Sequence, residues 1–175
     1  MYTLPMLTFL AVAAASLTGP MAAASAGDWT QEVGVSKMDD SRTVVLSLSA
    51  NAAVHGWPEK VVMPTLKLRC REGKVDAYVI IGMAAAVEYG GTDSATVRLR
   101  FDKDSAQQLR TSKSTNGEAL FFGDAKKMIT TMARHQTLLF RFTPFNSVPQ
   151  ETSFSLYGLS AVLKPLQEAC GWDPE

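Results

Sequence analysis

Few residues in this 175-residue chain have the types and spacing that chemistry needs. His55 and His135 are the only histidines, and Cys70 and Cys170 the only cysteines. A zinc site draws three or four ligands from His, Cys and carboxylates. Neither histidine has companions at metal-ligand spacing, so no metal and no cofactor are expected. The sequence contains no Gly-x-Ser-x-Gly elbow, phosphate-cradling glycine loop or dinucleotide fingerprint. Asp39-Asp40 and Asp102-Lys103-Asp104 are carboxylate pairs of the kind a glycosidase needs. Both fall at the ends of strand patterns, where Asp ordinarily serves turns. The expectation is a protein with no catalytic residues.

The cations are more regularly arranged. Lys67, Arg69 and Arg71 alternate along one stretch, Arg98 and Arg100 along another, and Arg141 lies between Phe140 and Phe142 in a third. Side chains alternate across a strand. If the three strands neighbour each other, six cations stand on one sheet face, opposite the buried one. Such a face would draw an anionic partner: a phosphorylated glycolipid, a cell-wall polymer or an acidic protein surface. The competing reading is a solvated face whose long charged residues deter edge pairing, with Asp76, Asp102 and Asp104 close enough to neutralise it.

The elements that must position these residues are mostly strands. Thr43 to Ala50 is β-branched and then alternates, and with the loosely alternating Trp29 to Ser36 it reads as a hairpin about the Asp39-Asp40-Ser41 turn. Thr65 to Arg71 alternates with Leu66, Leu68 and Cys70 on one face, and Glu72-Gly73 turns it into Val75 to Ile81. Ala95 to Phe101, Leu138 to Thr143 and Phe154 to Tyr157 complete the strand set; Asn51, His55 to Pro58 and Gly90-Gly91 read as loops. Asp124 caps a helix through Lys126, Met128, Ile129, Met132 and Ala133. A second helix spans Ser160 to Cys170, stopped by Gly171, with Pro165 either in the first turn of a shorter helix or kinking a longer one. The fold class expected is mainly β: an antiparallel β-sandwich or half-barrel with one or two packed helices and one disulfide.

The N-terminus sets the compartment. Residues Met1 to Ala26 carry no charged side chain, Leu7 to Ala15 is apolar, and Ala24-Ser25-Ala26 has the small-x-small pattern of a signal-peptidase site. The reading is a signal peptide over 1–26 and a single β-rich domain over 27–175, located in the periplasm. An uncleaved anchor is the alternative, since the segment has no Lys or Arg. Lys and Arg total 17 against 17 Asp and Glu, a balance unlike that of a nucleic-acid binder. No second long apolar stretch would span a membrane. Two cysteines in an exported chain read as one bridge, Cys70 to Cys170.

Several short segments, taken in order, resemble the VasI/TagO family of type VI secretion-associated proteins. They are Asp39-Asp40, Leu68-Arg69-Cys70, Val97 to Asp102, Ser112, Ala119 to Phe122 with Asp124, Leu138 to Asn146, Phe154 to Leu159, and Ala169 to Trp172. The resemblance implies an exported, disulfide-bonded accessory protein with no established enzymatic activity. The chain departs from the pattern at Leu109-Arg110-Thr111, where a tryptophan is expected. The function expected is a non-enzymatic periplasmic accessory or binding protein, with a protein or an anionic envelope component as partner. A periplasmic inhibitor or immunity-like protein blocking a hydrolase is the alternative, and a cell-wall enzyme a third. N-terminal sequencing of the exported protein is predicted to begin at Gly27; a mature form that retains Met1 would refute the signal-peptide reading.

Overall fold

Alternation of apolar and polar side chains accounts for most of the fold. The chain runs β1 (Thr30–Val35), β2 (Arg42–Ser49), β3 (Val54–Gly56), β4 (Lys60–Val62), β5 (Thr65–Arg71), β6 (Lys74–Ile80), β7 (Ser94–Phe101), β8 (Gln107–Lys113) and β9 (Ala119–Phe122). Then follow α1 (Ala125–Met132), β10 (Thr137–Phe142), β11 (Gln150–Ser155), α2 (Leu159–Val162) and α3 (Lys164–Cys170). The computed structural model describes residues 27–86 and 93–172; the signal-like segment 1–26 and the Gly90-Gly91 loop lie outside the described residues. Val44, Leu46 and Leu48 of β2, Leu66, Leu68 and Cys70 of β5, Val97 and Leu99 of β7, and Leu138, Phe140 and Phe142 of β10 are all buried. Their alternate neighbours point outward.

These apolar faces share one interior because the strands form one sheet. Its order is β1-β2-β5-β6-β9-β8-β7-β10-β11, with every neighbouring pair antiparallel. The segment after β2 meets the far edge strand: Asn51 N–H donates to the Ser153 carbonyl at 2.8 Å, and the Thr152 hydroxyl to the Ala52 carbonyl at 2.7 Å. The sheet is therefore curled, a half-barrel rather than two stacked sheets. β3 and β4 form a separate small ribbon with Trp57-Pro58 in its turn, where sequence reading expects only a loop.

Helices fill the concave side. Asp124 Oδ1 accepts the Lys127 N–H at 3.0 Å, starting α1 as expected, and buries Ile129 and Met132 beneath the helix. α1 lies against β6, and α3 lies across β2 and β5. Pro165 has no N–H to continue a helix from the preceding turn. The C-terminal segment accordingly breaks after Val162 and restarts with Pro165 in the first turn of α3, giving three helices among the described residues. Gly171 ends α3 at φ 54°, ψ 46°, a left-handed conformation that glycine adopts without a Cβ clash.

The Cys70–Cys170 disulfide, with Cα atoms 5.7 Å apart, ties α3 to β5. A seven-residue helix is too short to persist alone; its stability comes from Leu166 in the core and from this bond. By chain-entropy reasoning, closing a loop of about 100 residues contributes up to about 4.7 kcal/mol. Cys170→Ala is predicted to lower unfolding stability by a few kcal/mol, read as a reduced urea midpoint. An unchanged midpoint would mean that α3 is held by packing alone.

Candidate functional site

The residues that could do chemistry are tied to the connections between elements. Asp39 and Asp40 form the β1–β2 turn, where Asp39 Oδ1 accepts from the Ser41 hydroxyl at 2.9 Å. Hydrogen bonds from Ser36 and Ser41 hold the Asp39 carboxyl below its usual range. Asp102, at φ 44° after β7, accepts the Gln136 and Thr137 backbone N–H groups at 3.0 and 2.8 Å, pinning the α1–β10 connection. Asp104 meets His135 Nε2 at 3.3 Å, and His135 Nδ1 lies 2.8 Å from the Thr131 carbonyl. A carbonyl only accepts, so Nδ1 carries the proton. His55 sits in β3 opposite Val61. Among the described residues, no three His, Cys, Asp or Glu side chains gather as a metal site.

The six cations all project from the outer face of one sheet, but they fall into two groups. Lys67, Arg69 and Arg71 lie on β5, and Arg98, Arg100 and Arg141 on β7 and β10. β6, β9 and β8 intervene, four strand spacings or roughly 19 Å. That exceeds the ~8 Å screening length of physiological salt, so the two groups do not sum to one field. On β5, Arg69 is taken up by Asp76 at 2.6 Å and sits 5.4 Å above the Tyr78 ring. Tyr78 stacks on Phe121 with centroids 4.6 Å apart. Burial in this outward aromatic cluster raises the Tyr78 hydroxyl above its ordinary value near 10.0, against the pull of Arg69.

The β7–β10 group is tighter. The register places Gln108, Arg98, Arg141 and Glu151 in one row across β8, β7, β10 and β11. Arg141 directs Nε and Nη2 to Glu151 Oε2, both at 2.9 Å. Arg100 donates through Nε to the Asp104 carbonyl at 2.9 Å. No side-chain hydrogen bond or ion pair to Arg98 is found among the described residues.

Two features escape sequence reading. Tyr78 lies in the unbroken run Ala77-Tyr78-Val79-Ile80, which carries no alternation to reveal its face. A groove of about 560 Å³ opens between α1 and the β7–β8 hairpin, floored by Leu99, Phe101, Leu109, Phe122 and Met128, with His135 and Lys127 at its margin. Its β8 wall is the polar stretch Gln107–Lys113, too weakly patterned to be expected as a strand.

No family model matches this sequence, and no curated protein does. Among solved structures, the fold is similar to that of invasion associated protein B from Bartonella henselae, with a TM-score of 0.54 and 15% identity over 82% of this chain and 94% of that one. At that identity the likeness extends to the fold alone. The VasI/TagO resemblance of the ordered segments has no family match beside it.

Because Asp102 accepts two backbone N–H groups from a position of positive φ, Asp102→Ala is predicted to cost about 1.5 kcal/mol. That is the low end for hydrogen bonds to a charged group, since the site is exposed. Denaturant unfolding checks it: a variant as stable as the parent would free Asp102 for a role other than a structural one.

Proposed function

We propose that this is an exported, non-enzymatic accessory protein of the periplasm. It holds an anionic partner, either a protein surface or a cell-envelope component, against the outer face of its sheet. The observation that carries the reading is the row in which Arg98 stands beside Arg141 on that face, with Arg100 two residues along the same strand. Like charges directly opposed across strands oppose folding, so the row is poorly explained by solubility alone. The carboxylates and histidines support a non-catalytic reading from the other side, because Asp39, Asp102 and the Asp104–His135 pair serve turns and connections. Service to a type VI secretion system is the finer proposal, supported by the ordered segments that resemble VasI/TagO proteins. The fold shared with an invasion associated protein is in keeping with an accessory role.

The test is charge reversal. Arg98→Glu with Arg100→Glu should cost no more than about 1 kcal/mol of stability, since exposed charges contribute little and only the Arg100 bonds to the Asp104 and Lys103 carbonyls are lost. The pair should nevertheless reduce partner recovery in periplasmic cross-linking, and parent recovery should fall as salt rises. Recovery of the same partners in equal yield from parent and variant would overturn the anionic-partner reading.

A further inference from the structure

The outer-face row encloses a defined depression. Arg98, Arg100, Ala106, Leu139, Arg141 and Glu151 line a concavity of about 160 Å³ on the outer surface of β7 and β10. We propose that it is a binding site for a phosphoryl group, a dianionic phosphate monoester in particular. This rests on the anionic-partner reading and narrows it to three arginines and one ligand chemistry.

Pre-organisation is the first reason. Arg100 is fixed by the β7–β8 turn, through Nε to the Asp104 carbonyl at 2.9 Å and Nη2 to the Lys103 carbonyl at 3.4 Å. Arg141 is fixed by Glu151, which takes its Nε and Nη2. Two guanidinium planes are thus held in place before any ligand arrives, each with donors left over. Arg98 supplies all of its donors between them. Guanidinium groups match the paired oxygens of phosphate and carboxylate, and an anchored one loses less freedom on binding.

Charge is the second. Three arginines and Glu151 leave a formal surplus of two positive charges around the depression. A phosphate monoester carries about −1.5 to −2 at neutral pH and would cancel it. A carboxylate or a phosphodiester, at −1, would leave Arg98 and Arg141 still repelling each other across the strands. The β5 group offers no equivalent, because Arg69 already holds Asp76.

The probes are inorganic phosphate and glycerol phosphate, titrated against the oxidised protein at constant ionic strength while backbone amide resonances are followed. Shifts should centre on Arg98, Arg100 and Arg141. Arg98→Gln should weaken binding at least about tenfold, the scale of one lost charge-assisted contact, and Lys67→Gln should leave it unchanged. Arg98→Lys, which keeps the charge and loses the fork, should fall between parent and Arg98→Gln. An unchanged thermal midpoint in Arg98→Gln separates lost binding from lost folding. Vesicles containing phosphatidic acid distinguish the source: retention that Arg98→Gln abolishes supports the site and assigns it to a lipid headgroup, whereas equal retention on phosphatidylserine vesicles would overturn the phosphoryl assignment. So would phosphate binding that Arg98→Gln does not change, or no binding at millimolar phosphate. If phosphate fails to bind but an acidic protein is captured in an Arg98-dependent way, the phosphoryl assignment falls and the anionic-partner reading stands. Loss of both dependences overturns both.

Discussion

One sheet with one shared interior is the constraint on which the rest of this structure depends. A strand's side chains alternate strictly, so once Val44, Leu46 and Leu48 face the concave side, every hydrogen-bonded neighbour must bring its own apolar set to the same side. The strands from β2 to β11 follow this rule, β8 least, with only Leu109 and Thr111 turned inward, and the curl that brings Asn51 to Ser153 closes the interior together with Val54 of the small β3–β4 ribbon. The helices complete what the curl leaves open. Cys70, being on the interior face, can only be bridged by something inside the cup, and α3 supplies Cys170 there.

The same constraint determines what remains for function. The strand interiors are committed to packing, and the turns need polar side chains to satisfy backbone groups. Asp39, Asp102 and Asp124 each accept a backbone N–H or neighbouring hydroxyl at a turn or helix start. A carboxylate used in this way is positioned by local structure, and Asp124 keeps its capping bond at the margin of the groove beside α1. The groove beneath α1 is mostly apolar at its floor. What is left uncommitted is the convex face, where side chains owe nothing to the core.

On that face, electrostatics is local. Arg69 pairs with its cross-strand neighbour Asp76 and covers Tyr78, so on β5 the charge is absorbed into the sheet's own surface. On β7 and β10 it is not. Arg98 opposes Arg141, and Glu151 balances only one of the two. A cross-strand clash of like charge is a local cost that most sheet surfaces avoid, and local violations of this kind concentrate where a protein meets a ligand.

The sequence alone determined the parts of this protein that depend on neighbours along the chain. Alternation marked β2, β5, β7 and β10 and the outward side of all six cations, because a period of two is a local property. The Asp124 cap and the Gly171 stop were equally legible, as each is one residue acting on the adjoining turn. Only the tertiary structure decided which strands touch. β7 follows β6 in the chain but lies three places away in the sheet, because β9 returns to pair with β6 and carries β8 between them. That order separated Lys67, Arg69 and Arg71 from the other three cations, and it stacked Phe121 on Tyr78. The register of β10 on β7 then set Arg98 beside Arg141. Strand order and register are fixed by how distant apolar faces pack together, and no local period encodes that.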